Sequence, residues 1–127
     1  MSKSNYAETA VVDWLLGGAT PTRPSARYLA LHTADPGETG ATSEVSGNGY
    51  ARQAVTFNAA SSGAATNSST HTFTASGGNW GTITYFSIWD ASTSGNELYS
   101  GALTTSRTIN NGESLTVAAA AITVSED

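Results

Sequence analysis

The sequence predicts an all-β fold, a β-sandwich or jelly-roll-like domain of short antiparallel strands that follow one N-terminal α-helix. Apolar residues recur at helical spacing only in the segment that ends at Gly17. From residue 26 onward, short runs rich in Thr, Val, Ile and aromatic residues alternate with turns rich in Gly, Asn, Ser and Asp. At 127 residues the chain fits one domain, with the helix in residues 1–18 and a β-core in residues 26–127.

The helix is expected to begin at Asn5, whose side chain caps it, with Glu8 placed three residues later as in a capping box. Gly17 and Gly18 end it, because glycine readily takes the left-handed conformation at a helix C-terminus. One face of this helix collects the apolar side chains Tyr6, Ala7, Ala10, Val11, Trp14 and Leu15. Such a stripe is more typical of contact with the core than of a partner-binding face, so we expect core contact.

The next part of the chain is a strand and a long loop. Residues 28–32, YLALH, form an apolar run of strand length, and the polar residues 33–49 follow with a turn at Asp35-Pro36-Gly37. Residues 58–70 are rich in Ala, Ser, Gly and Asn and are expected to be irregular or mobile. They include the glycosylation sequon Asn67-Ser68-Ser69, to which we give little weight.

Residues 80–90, WGTITYFSIWD, are the richest β-segment. Their alternation slips between Ile83-Tyr85 and Phe86-Ile88, which predicts a bulge or a strand buried on both faces. Further strands are predicted at residues 71–75, 97–103, 115–117 and 122–124. The last two are either one long strand or two short ones separated by an alanine run.

Residues 44–55, EVSGNGYARQAV, contain two glycines that invite comparison with a phosphate-binding loop. A dinucleotide fingerprint needs a third glycine where Arg52 stands, and the residues that follow alternate with the period of a strand. Gly47 and Gly49 are therefore interpreted as a tight turn into a strand. One face of that strand carries Gln53, Val55 and Phe57.

The composition argues against several classes of function and site. Ala, Gly, Ser and Thr make up more than half of the chain, only 12% of residues are charged, and the net charge is −5. The five basic residues are scattered, so no nucleic-acid partner is expected. The apolar stretch near the N-terminus is interrupted by Glu8 and Asp13 and predicts no membrane span. No cysteine is present for a disulfide or a thiolate site.

Candidate catalytic and metal-binding residues are sparse, and we expect no enzyme, metal site or cofactor. His32 could pair with Asp35, but a single histidine at a strand end is usually structural. Three acids of the long loop could gather a calcium ion, although their spacing fits no EF-hand: Asp35, Glu38 and Glu44. Paired carboxylates for glycoside cleavage would have to come from acids beside turns: Asp90, Glu97 and Glu113. Four aromatic side chains could form a sugar-stacking platform, but core filling is favoured: Trp80, Tyr85, Trp89 and Tyr99.

The order of four features resembles a family of small tailed-bacteriophage virion proteins, known as capsid decoration (cement) or tail-fibre-like proteins. They are the helix YAETAVVDWLLGG, the strand and acidic loop YLALHTADPGETGATSEVSGNGYARQAVTF, the aromatic strand NWGTITYFSIWDASTSGNELYSGAL and the terminal TINNGESLTVAAAAITV. The resemblance covers nearly the whole chain and resides in order and spacing, not in one diagnostic motif.

The resemblance implies a virion protein that binds by shape. The favoured role is a decoration protein, often a trimer, that binds the major capsid protein lattice at the capsid surface and stabilises the head, where multivalency adds weak contacts together. The contacting parts are expected in the N-terminal residues or the long loop. The candidate interface residues are Asp35, Glu38, Glu44, Asn48, Tyr50 and Arg52. The alternatives are a tail or tail-fibre-associated protein, or a carbohydrate-binding β-sandwich module.

Overall fold

The computed structural model describes residues 1–126. Within them, one α-helix and nine β-strands follow each other along the chain. They are β1 (Ser2–Lys3), α1 (Asn5–Leu16), β2 (Tyr28–His32), β3 (Gln53–Ala54), β4 (Ala64–Thr66), β5 (His71–Thr74), β6 (Gly81–Trp89), β7 (Glu97–Ile109), β8 (Ser114–Val117) and β9 (Thr123–Ser125).

The strands form one large and two small antiparallel sheets. The large sheet has the order β1-β7-β6-β2-β3, and the small sheets pair β4 with β9 and β5 with β8. The all-β prediction with one N-terminal helix is confirmed, and the antiparallel sheets are consistent with a sandwich-like domain.

The hydrophobic core joins the large sheet to the β5–β8 sheet. Leu29 and Leu31 of β2 and Ile83 of β6 are fully buried, and they belong to one cluster with Phe73 of β5 and Leu115 of β8. Because side chains alternate across a strand, β5 turns Phe73 inward while its threonines face outward. This packed core is the platform on which the loop 33–49 and helix α1 are held.

The predicted irregularity of the aromatic strand is confirmed. Pairing between β6 and β7 shifts its register between Ile83 and Tyr85, and again between Ile88 and Trp89. A bulge lets consecutive parts of one strand present different faces to the core. Strands β8 and β9 are separate, since the chain turns between them and Ala120 takes a left-handed conformation with φ 62°.

The prediction that residues 58–70 are irregular is confirmed for most of them and is wrong for one short strand. Strand β4 lies within them and pairs with β9, with Ala65 opposite Val124. Asn67 is fully buried beside this pair: its side-chain nitrogen donates to the carbonyls of Ser69 and Ala118, and its oxygen accepts from the Ile122 N–H. Small polar residues here therefore hold a strand in place through hydrogen bonds and not through apolar packing.

Strand lengths also differ from expectation. Strand β7 continues to Ile109, six residues beyond its predicted end, because it pairs with β6 along its length. In the segment 52–57 only Gln53 and Ala54 form a strand, although Phe57 bridges to Asn67. The chain before α1 adds the short strand β1, which lies along β7.

Helix α1 runs from Asn5 to Leu16, but the residue that caps it is Ser4 and not the predicted Asn5. The Ser4 hydroxyl accepts a hydrogen bond from the Ala7 N–H at 3.1 Å, which satisfies one of the free donors of the first turn. The predicted end is confirmed, since Gly17 has φ 82° and its N–H bonds to the Asp13 carbonyl. Ser4 also donates its N–H to the Leu98 carbonyl, which fixes the start of α1 on β7.

Candidate interface

Arg52, one of the predicted interface residues, is bound within the molecule. Its guanidinium carbon lies 3.8 Å from the ring centroid of Trp89, a cation–π arrangement. Its Nε and Nη2 donate to the two carboxylate oxygens of Glu44 at 2.9 and 2.8 Å. Its Nη1 donates to the carbonyls of Ala91 and Ser94. Only 7% of the side chain is exposed, so its donors are already used by this chain.

Glu44 and Tyr50 extend the same cluster into the core. The Tyr50 hydroxyl donates to Glu44 at 2.7 Å and accepts from the Leu31 N–H at 3.1 Å. Burial alone would raise the pKa of Glu44, but the hydrogen bonds from Arg52 and Tyr50 outweigh it and lower that pKa below its ordinary value. Burial raises the pKa of Tyr50. The cluster thus favours the charged form of the Glu44 carboxylate.

The glycine-rich stretch is a tight turn, as predicted. Gly47, Asn48 and Gly49 all take left-handed conformations, with φ of 72°, 53° and 79°, and the Tyr50 N–H bonds back to the Gly47 carbonyl. The Asn48 carbonyl accepts from the indole N–H of Trp80 at 2.9 Å. The turn is therefore attached to a core tryptophan.

The loop before this turn runs back along β2. Val45 is buried and its N–H bonds to the Leu31 carbonyl, which places Glu44 opposite His32. The six predicted interface residues thus divide into two groups. Three are half-buried in the cluster just described, namely Glu44, Tyr50 and Arg52. Three are exposed, namely Asp35, Glu38 and Asn48. An interface role for them stays a prediction.

His32 has a structural position. It is fully buried and its two ring nitrogens lie 3.0 Å from the Thr42 carbonyl and 2.6 Å from the Ser87 hydroxyl, so its hydrogen bonds go to these groups and not to Asp35. Burial lowers its pKa, so the neutral imidazole is favoured. Within residues 1–126, no three histidine or acidic side chains are close enough to hold a metal ion.

Glu97 was considered in the sequence only as one of several acids beside turns, and its burial was not predicted. It is 2% exposed, and neither carboxylate oxygen has a hydrogen-bond partner among the described residues. Burial, followed by the nearby charges of Glu38 and Asp35, raises its pKa to about 7. Its position beside a turn suggested an ordinary surface acid. The buried position arises because Gly40 brings the long loop onto Trp89 and Glu97: a Cβ on Gly40 would clash with the Trp89 indole and would lie 3.1 Å from the Glu97 Cβ.

The two tryptophans of the candidate sugar-stacking platform lie in the core, as the sequence analysis favoured. Trp80 and Trp89 are both buried, and Trp89 donates its indole N–H to Ser87. Tyr85 and Tyr99 are half-buried. The proposed sugar-stacking platform therefore lacks its two tryptophans, since a stacking ring has to present its face to solvent.

Helix α1 carries the large apolar side chains that the fold leaves uncovered. Trp14 is 65% exposed and Leu16 is 82% exposed, and Ala7 is the buried residue of the helix. The expected core contact is therefore confirmed for Ala7 and wrong for Trp14 and Leu15. These two side chains are exposed because α1 is fixed to β7 at Ser4, while its later turns border an open cleft. We call the exposed set the α1 surface: Tyr6, Val12, Trp14, Leu15 and Leu16.

A cleft runs between α1 and the segment that follows it, and we call it the α1 cleft. Its apolar wall comes from the helix and its opposite wall from Pro21 and Pro24, with Tyr99 of β7 alongside. Two cations, Arg23 and Arg27, belong to its lining, which contains no acidic residue. Arg27 donates to the Pro24 carbonyl, and neither arginine forms an ion pair with a residue of the described part of the chain.

At 12 residues, α1 is too short to cross a bilayer. It is the single helix in the described region, which therefore holds no candidate membrane-spanning helix.

No curated protein matches this chain. A family of phage proteins does match, and the matched region includes the helix, the β-core and the α1 cleft. Over residues 2–125 the chain matches the family described as podophage GP4 fiber I protein gp80, and it belongs to that family.

Proposed function

We propose that this phage structural protein is a tail-fibre-associated subunit of a podophage virion that acts by binding neighbouring virion proteins and not by catalysis. The observation that carries the proposal is the match to a fibre-protein family over residues 2–125. That match supports the fibre alternative of the sequence analysis better than the capsid decoration role. Contacts with a major capsid protein and a trimeric state rest on the earlier resemblance alone.

The structure supports a binding role through its surfaces. The α1 surface exposes several large apolar side chains in one place, and such patches on a soluble protein usually mark an interaction site. The polar cluster around Arg52, in contrast, resembles an internal brace, with its hydrogen-bonding groups directed to this chain. A structural subunit needs a rigid body and at least one adhesive surface, and these two regions fit those roles.

Localisation in the particle tests the proposal. Fab fragments raised against the folded chain are added to virions whose genome encodes it, and the labelled particles are imaged by electron cryomicroscopy. We expect Fab density at the tail or its fibres. Density distributed over the head lattice would contradict the fibre role and favour capsid decoration. Immunoblotting of separated heads and tails is an independent control, because it does not depend on Fab access.

A further inference from the structure

We infer that the α1 surface is a contact between two copies of this chain, which pair about a two-fold axis so that α1 of each copy lies in the α1 cleft of the other. The inference concerns the purified chain, so it stands whether or not the protein is a fibre component. It rests on the distribution of apolar residues around α1, on the charges of the helix and the cleft, and on their location in one patch.

The later turns of α1 are apolar on more than one side. Trp14 follows Ala7 by seven positions, or about two turns, so it lies on the side of the helix that faces the sheet. Leu16 follows Ala7 by nine positions, or about two and a half turns, so it lies on the opposite side. Both are largely exposed. A helix that is apolar all round is typically buried in a larger assembly, so α1 lacks a covering surface.

The charges indicate what covers it. Helix α1 carries two acids, Glu8 and Asp13, and no basic residue. The lining of the α1 cleft carries two cations, Arg23 and Arg27, and no acid. The complement of this cleft is an apolar helix that bears carboxylates. That is the pattern of α1 itself, whereas a basic amphipathic helix would bring like charges together.

The geometry points to a two-fold arrangement. The acidic apolar helix and the arginine-lined cleft belong to the same patch, since α1 forms one wall of the cleft. A patch that contains both halves of a contact is self-complementary, and a two-fold axis then forms each contact twice. The trimer implied by the sequence resemblance would need a head-to-tail ring, in which the two surfaces of each contact differ, whereas this patch contains both halves of a contact.

The first test measures association of the purified full chain by sedimentation equilibrium. We expect a monomer–dimer equilibrium with a dissociation constant of about 100 µM or below. Leu16→Glu places a charge on the α1 surface and is expected to raise the dissociation constant at least about tenfold. Thr105→Glu, an exposed position on β7, makes the same change in charge and is expected to leave dimerisation unchanged. A monomeric or trimeric wild-type chain, or a Leu16→Glu dimer as tight as wild type, would overturn the inference.

The second test exchanges charges and does not depend on the fold of the first variant. Arg23→Glu and Glu8→Arg should each weaken the homodimer, because every two-fold contact then brings like charges together. An equal mixture of the two variants restores both contacts in the heterodimer, so we expect its dissociation constant to return to within about threefold of wild type. Thermal unfolding of each variant monitors folding. Failure of the mixture to associate better than either variant alone would contradict the pairing.

Discussion

Helix α1 and the segment 44–52 carry opposite kinds of side chain and hold opposite places in the fold. The helix presents Trp14, Leu15 and Leu16 to solvent, whereas the polar segment places Arg52 over the Trp89 ring and pairs it with Glu44. The comparison shows that a side chain is buried where the chain supplies groups to contact it, whether that side chain is charged or apolar. The donors of Arg52 meet a carboxylate and two carbonyls, so a charged group is tolerated among core side chains. The later turns of α1 border an open cleft among the described residues, and their large apolar side chains stay exposed.

Among substitutions in these two regions, Arg52→Met should have the largest effect on the free energy of unfolding. The substitution removes the ion pair and the cation–π contact and leaves the Glu44 carboxylate without its cation, which typically costs about 3 kcal/mol. Urea unfolding followed by tryptophan fluorescence measures it. Arg107→Met, at an exposed position of β7, is the matched control and should cost less than about 0.5 kcal/mol. Equal losses in the two variants would refute the internal role of Arg52.

Glu97 makes a contribution to the free energy of unfolding that decreases as pH rises. Its pKa is about 7 in the folded state, above the ordinary 4.5, so the folded state holds the proton more tightly than the unfolded chain. This stabilisation is complete below pH 4.5 and is lost as pH rises through 7. We expect a loss of about 2 kcal/mol between pH 5 and 8, measured by urea unfolding. Glu97→Gln should flatten this part of the profile, and an unchanged slope in the variant would contradict the assignment.

Alanine substitutions at two glycines of the same turn distinguish the cost of backbone strain from the cost of a steric contact. Gly47→Ala places a Cβ in open space, so its cost is that of the left-handed conformation, about 1 kcal/mol. Gly49→Ala has the same conformational cost, and its Cβ also lies 3.2 Å from Ser76. We expect Gly49→Ala to be the more destabilising of the two in thermal unfolding. The reverse order would show that the turn does not press against Ser76.

The smallest effect is expected on α1. Leu16→Ser changes a residue that is mostly solvated, so the stability of the dilute monomer should stay within about 0.5 kcal/mol of wild type. Phe73→Ala, in the core, is the contrast and should cost about 3 kcal/mol or more. Chemical unfolding at a protein concentration well below the dimer dissociation constant measures both. A large loss in Leu16→Ser would mean that α1 packs on its own chain.

Features set by neighbouring residues were predictable from the sequence. The end of α1 at Gly17, the turn at Gly47 and Gly49, and the bulge near Ile83 follow from backbone preferences and side-chain alternation within a few residues. The family relationship was also accessible, because the order of the segments extends over the whole chain.

Features set by distant residues were not predictable in the same way. Strand β4 depends on pairing with β9, and the burial of Glu97 depends on the loop that Gly40 brings against it. The apolar spacing of α1 correctly indicated a helix with surfaces to cover. It could not show whether the covering surface belongs to the same chain, since helical periodicity is identical in both cases.

Asn67 has a practical consequence for producing the protein. It begins an Asn-Ser-Ser sequon, which eukaryotic secretory pathways can glycosylate. The nitrogen that would carry the glycan is fully buried and donates to two carbonyls, so a modified chain cannot form this part of the fold. Modification before folding would therefore trap misfolded material. Expression in a bacterial cytoplasm avoids this modification. The choice of expression host therefore affects how much of the chain can fold.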